Sequence, residues 1–174
     1  MYNIRSLVLK VIIILQLASG SAYAANVNTN LIVTGTVTKA SCDVASTSKN
    51  LVVPLGDVSP ADFTSSGSVL PAKSFTVQLQ NCSGESGVSV SFSGSQQDSS
   101  DNTLLALSGG TPATGLAVQL LNANSVAVPV NAPDVETLSG TSPTLTYKLQ
   151  YKSTSDIVTA GDANAVLYMT FSYQ

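Results

Sequence analysis

Histidine and tryptophan are absent from the 174 residues, cysteine occurs twice, and charge is scarce, with seven basic and ten acidic side chains making up 10% of the chain. Each shortage excludes something. Without histidine there is no usual general base near neutral pH, no Ser-His or Cys-His nucleophile pair, and no source of the commonest zinc ligand. The sequence is therefore read as non-enzymatic, with no catalytic residue, no metal and no cofactor. Two cysteines alone cannot complete a metal site from soft ligands. A net charge of −3 and a pI of about 4.5 leave no electrostatic footprint for phosphate backbones, so no nucleic-acid partner is expected. What is plentiful is apolar and small polar residues: 44% of the chain is hydrophobic, which suits one compact domain.

The first 24 residues read as a leader. Arg5 and Lys10 precede and interrupt an apolar run from Leu7 to Leu17, and Ala22-Tyr23-Ala24 supplies the small-x-small pattern of a cleavage site. The run falls well short of the roughly 20 residues that cross a bilayer core, and no second apolar stretch follows, so no membrane insertion of the mature chain is expected. Cleavage after Ala24 leaves 150 residues, with five lysines against ten carboxylates. Cys42 and Cys82 then both lie in an exported chain, where an oxidising compartment favours a single bridge over two free thiols.

The exported part reads as strands. Leu145, Tyr147, Leu149 and Tyr151 alternate with Thr146, Lys148, Gln150 and Lys152, the pattern of a strand buried on one face. The same period runs through Phe75-Val77-Leu79, Val88-Val90-Phe92, Leu116-Val118-Leu120 and Leu167-Met169-Phe171-Tyr173, with turn residues at 83–87, 122–125 and 160–162. The stretch from Gly94 to Gly115 is expected to be a long surface loop or a weak edge strand. About seven short strands with one bridge predict an antiparallel sandwich of immunoglobulin-like type, without the buried Trp of antibody domains.

Both ends carry strand patterns. The last alternation continues to Tyr173 and Gln174, so its far edge is expected to lack a partner, a hazard for aggregation. At the other end Thr29, Leu31, Val33, Gly35 and Val37 alternate with Asn30, Ile32, Thr34 and Thr36. Extended at about 3.3 Å per residue, the segment from Ala25 to Gly35 reaches on the order of 30 Å, and it contains no turn to fold it back. A domain short of one strand and a chain end shaped like one fit together between molecules, head to tail. A disordered tail, or a first strand paired within its own sheet, are the alternatives.

The chain resembles the pilins of chaperone-usher fimbriae of the type 1 kind. The resemblance rests on the leader ending at Ala24, on Thr34-Gly35-Thr36-Val37-Thr38-Lys39-Ala40-Ser41-Cys42, and on Phe75-Thr76-Val77-Gln78-Leu79-Gln80-Asn81-Cys82. It rests further on Gly115-Leu116-Ala117-Val118-Gln119-Leu120-Leu121 and on Val158-Thr159-Ala160-Gly161-Asp162-Ala163-Asn164-Ala165 with the closing Phe171-Ser172-Tyr173-Gln174. It implies an all-β, incomplete immunoglobulin-like sandwich that lacks its final strand and is completed by donor-strand exchange. Residues 1–24 would be the signal peptide, 25–36 the donor-strand extension and 37–174 the pilin domain. The resemblance places alternating donor residues at Thr29, Leu31, Val33 and Gly35 and a bridge between Cys42 and Cys82. It also assigns a chaperone-binding C-terminal strand to Leu167, Met169, Phe171, Tyr173 and Gln174. The implied partners are neighbouring pilin subunits, a periplasmic chaperone and an outer-membrane usher. The implied role is a structural subunit of a cell-surface fimbrium that supports bacterial adhesion. A minor, adaptor or receptor-binding pilin, or a monomeric periplasmic β-sandwich binding module, are the rival readings.

Other motifs give way to simpler readings. Ser46-Thr47-Ser48-Lys49 with Ser100-Asp101-Asn102 matches two elements of penicillin-recognising enzymes but lacks Lys-Thr-Gly. Asp98 and Asp101 lack the spacing of a calcium loop. Asp134 and Glu136, beside Pro133, are expected to be surface charges in a turn, and Tyr147 and Tyr151 to be core residues rather than a sugar-stacking platform.

Overall fold

Alternating apolar residues become strands in the computed structural model, which describes residues 41–83, 87–94, 96–130, 132–137 and 140–173. The strands are β1 (Ser41–Val44), β2 (Lys73–Ser83), β3 (Val88–Gly94), β4 (Leu116–Asn122), β5 (Pro133–Glu136), β6 (Thr144–Ser153) and β7 (Leu167–Tyr173). Helix among the described residues is limited to two single turns of 3-10 type, Ser46–Ser48 and Pro60–Asp62. The second has its start signal in the sequence: Ser59 Oγ accepts from the Ala61 N–H, and the Ser59 N–H donates to Asp62 Oδ2 at 2.7 Å.

Two antiparallel sheets form, one in the order β1-β2-β6-β4 and the other β5-β3-β7. A constant-type immunoglobulin sandwich has strands A, B, E and D in one sheet and C, F and G in the other. Here β1, β2, β6 and β4 fill the first sheet, and β3 and β7 take the places of C and F. β5 lies on the outer side of β3. The place of G, beside β7, holds no strand among the described residues.

Inward positions fill the interior between the sheets. Val77 and Leu79 of β2, Tyr147 of β6, and Val88, Val90 and Phe92 of β3 are essentially fully buried, and Phe92 meets the Tyr147 ring edge-on at 4.9 Å between centroids. Tyr147 and Tyr151 are core residues, as their period predicts. Cys42 and Cys82 are bridged. β1 meets β2 through a bulge, where Asn81 takes φ 54° and its side-chain amide donates to Asp43 Oδ2 at 3.0 Å. Tyr173 Oη donates to the Cys42 carbonyl at 3.1 Å, tying the end of β7 to β1 beside the bridge.

One expectation resolves between its two alternatives, and one is corrected. Among the described residues from 96 to 115 no regular strand forms, but Leu104, Leu105 and Leu107 are buried and Leu105 exchanges both backbone hydrogen bonds with Val118, so the stretch is closer to the weak edge strand than to the surface loop. Its apolar insert covers the outer edge of β4 rather than lying on the surface. Asp134 and Glu136 belong to a strand, not a turn. They alternate with the exposed Val135 and are half-buried on the inner face, because β5 pairs with β3 in register with the buried Val88 and Val90.

Candidate functional site

Along one line the interior stays open. The buried side chains divide into two clusters, one around Val77, Leu79, Val90, Phe92 and Tyr147, the other around Phe63, Leu105, Leu116, Val118 and Tyr151. Leu149 and Leu167 pack against both, and both are only half-buried. Leu149 is the telling residue. Its neighbours at the same face of β6, Tyr147 and Tyr151, are buried, so its exposure reports a missing cover rather than a strand end.

The opening is a groove in two connected stretches of about 710 and 450 Å³ that share the apolar side chains of Leu51, Val53, Leu149, Ala165 and Leu167. Leu167, Met169 and Phe171 of β7 line it with their inward faces. All three are half-buried, whereas Phe92 and Val90, which stand opposite Met169 and Phe171 on the adjoining β3, are fully covered. β7 pairs with β3 along its whole length, from Leu167 opposite Gly94 to Tyr173 opposite Val88, and its other edge has no strand partner among the described residues.

The opposite wall is the segment 50–58. Leu51 to Val58 line the groove, with Val53 and Leu55 half-buried and Val52, Pro54 and Gly56 exposed, a two-residue alternation like that of a strand. Yet no backbone ladder forms from Asn50 to Val58 among the described residues. The groove thus lies between β7 and the segment 50–58, with no strand paired to either wall across it among the described residues. One end is closed by the segment 158–165, which is held firmly: the Thr159 N–H donates to the Thr114 carbonyl, the Ala113 N–H donates to the Asp162 carbonyl at 3.0 Å, and Tyr151 Oη donates to the Ala163 carbonyl at 2.8 Å. Burial, and next the charge of Asp57 at this end, raise the Tyr151 pKa, so the phenol stays protonated for that bond. Lys49 and Tyr168 stand at the other end.

Of the residues singled out in the sequence, Leu167, Met169 and Phe171 come together in the groove, Tyr173 lies on β7 with its hydroxyl on Cys42, and Cys42 and Cys82 form the bridge. Thr29, Leu31, Val33, Gly35 and Gln174 lie outside the described residues. The wall at 50–58 and the floor at Leu149 were missed. The alternation of Leu51, Val53 and Leu55 was the available signal. No group of three or more potential metal-ligating side chains occurs among the described residues, and no helix among them is long and apolar enough to cross a membrane.

A sandwich whose described residues leave one strand position open beside β7 defines the class: a pilin-type β-domain. Known proteins of similar sequence and fold agree. Residues 31–174 match the family model described as fimbrial protein. The fimbrial-like protein YcbU of Escherichia coli K12 is 38% identical over 147 residues, covering 80% of this chain and 81% of that protein. The S-fimbrial protein subunit SfaG of Escherichia coli O6:K15:H31 is 31% identical over 143 residues, covering 82% and 81%. Among solved structures, an antigen and type I fimbria protein of Burkholderia pseudomallei superposes with a TM-score of 0.61 at 28% identity, over 78% of this chain and 91% of that one. The P pilus rod subunit PapA superposes at 0.64 and 24% identity, over 76% and 99%, a likeness of fold. The chain belongs to the fimbrial protein family and is a structural subunit of a cell-surface fimbria.

Proposed function

We propose that the subunit polymerises by donating residues 25–36 to the groove of a neighbouring copy, after export directed by residues 1–24. The observation that carries this reading is the two-sided groove: half-buried Leu167, Met169 and Phe171 on β7 face Leu51, Val53 and Leu55 on 50–58, with no strand between the two walls among the described residues. A strand laid between them gains two ladders and covers the core's open seam. The segment with Thr29, Leu31, Val33 and Gly35 on one face has the matching period. Each of Leu31 and Val33 contributes roughly 1.5–3 kcal/mol on full burial. Gly35 suits a place where the floor leaves no room for a side chain. Before assembly, the same exposed seam calls for a temporary cover, the role of a periplasmic chaperone that reaches Gln174 and the β7 face, with an outer-membrane usher as the exit.

Replacing Leu31 by Asp or Gly35 by Val in the full chain is expected to leave periplasmic accumulation of the subunit intact and to abolish fibres. Normal fibres from both variants in electron micrographs would overturn the donor assignment.

A further inference from the structure

Away from the groove, the inner face of the β5-β3-β7 sheet carries charge where a sandwich interior is normally apolar. β5 pairs with β3 so that Glu136 stands opposite Val88 and Asp134 opposite Val90. Val88 and Val90 are fully buried, and Val135 between the two carboxylates is 66% exposed, so both acids face inward. Across from them on β6, Tyr147 is fully buried, and its hydroxyl lies close enough to both carboxylates to feel them yet makes no well-formed hydrogen bond. Asp134 Oδ2 is likewise buried and unpartnered. A buried phenol without a partner is unusual, and here it faces two acids. Burial first, and then both carboxylates, raise the Tyr147 pKa. Burial first, and then the charge of Asp134, raise that of Glu136, opposed in part by the Tyr147 hydroxyl, which favours the ionised carboxylate. No lysine among the described residues contributes to either shift. The groups on β3 that pair with β5 are Val88, Ser89, Val90 and Ser91, none of them titratable.

Two ionised carboxylates leave this spot unbalanced, and one added proton resolves it. A phenol has one hydrogen to give and lone pairs to receive. A protonated carboxyl would donate to Tyr147 Oη, and Tyr147 would donate in turn to the remaining carboxylate, satisfying all three groups. We propose that Asp134, Glu136 and Tyr147 form a binding site for a single proton taken from solvent, which makes β5 an edge strand that tightens in mild acid. The folded state then holds this proton more firmly than the unfolded chain. Its stabilisation is fully present below the ordinary Glu value of 4.5 and is lost as the pH rises through the higher folded value.

The test is thermal unfolding of the full chain between about pH 5 and about pH 8, compared with Glu136→Gln, whose amide carries no titrating proton. Relative to that variant, the wild type is expected to lose a few degrees on moving to the higher pH. Asp134→Asn serves as the second variant if Glu136→Gln does not accumulate, and it should reduce the slope without abolishing it, because the burial of Glu136 remains. Tyr147→Phe should change the slope, whereas a hydroxyl that takes no part in holding the proton would leave it unchanged. Parallel profiles for wild type and the carboxylate variants would overturn the proposal. So would millimolar calcium raising the wild-type midpoint at the higher pH but not that of Glu136→Gln, since the site would then hold a cation instead.

Discussion

Gly115 opens β4 with φ at +70°, where a side chain would meet the carbonyl oxygen of Ile157 and, at 3.1 Å, the Ser155 Cβ. The Gly115 carbonyl accepts from the Thr154 N–H at 2.9 Å, so this corner of the sandwich has little room to shift. Gly115→Ala is expected to cost about 1–3 kcal/mol, from the left-handed backbone together with the contact. Gly67, also at positive φ, has nothing within 4 Å of where an added methyl would sit, so Gly67→Ala should cost less. Denaturant unfolding of the two variants side by side checks the ranking. The inward acids of β5 show how a single residue type hides structure from a reader of the sequence: two carboxylates at core positions replace the apolar alternation that announces a strand, and Pro133 suggests a turn.

At the scale of elements, β7 is the strand whose two neighbours differ most. One edge is paired with β3 residue by residue, and the other faces the groove. Because the β3–β7 ladder is made of backbone, a polar side chain at the groove face should spare it. Met169→Asp is therefore expected to leave the sandwich folded, with its strand content by circular dichroism unchanged, while weakening uptake of a synthetic peptide of residues 25–36 at least tenfold, since one buried apolar contact becomes a desolvated charge. The long strands β2, β4, β6 and β7 were legible because an apolar residue at every second position, sustained over a strand's length, fits a sheet with one buried face and does not fit a helix. The bridge was legible from two cysteines in an exported chain. The 50–58 wall was harder, because it alternates like a strand but has no strand partner among the described residues, and its role arises only when the sheets bring it opposite β7. The assigned donor residues Thr29, Leu31, Val33 and Gly35 are read from sequence alone, outside the described residues.

At the scale of the whole molecule, the Cys42–Cys82 bridge and the Tyr173 hydroxyl on Cys42 gather β1, β2 and β7 at one end of the sandwich. The bridge closes a loop spanning 40 residues, which in the chain-entropy model stabilises the fold by roughly 4 kcal/mol. Replacing both cysteines by Ser is expected to lower the unfolding midpoint accordingly and to reduce the amount of subunit recovered from the periplasm. Equal recovery and an unchanged midpoint would show that the rest of the core suffices.

The two-walled groove also bears on mechanics. A strand lying lengthwise between β7 and 50–58 would run along the direction in which a filament is stretched. Tension would then act in shear on every rung of both ladders at once, instead of unzipping them singly from one end. Resistance to rupture would come from geometry, with no single bond required to be strong.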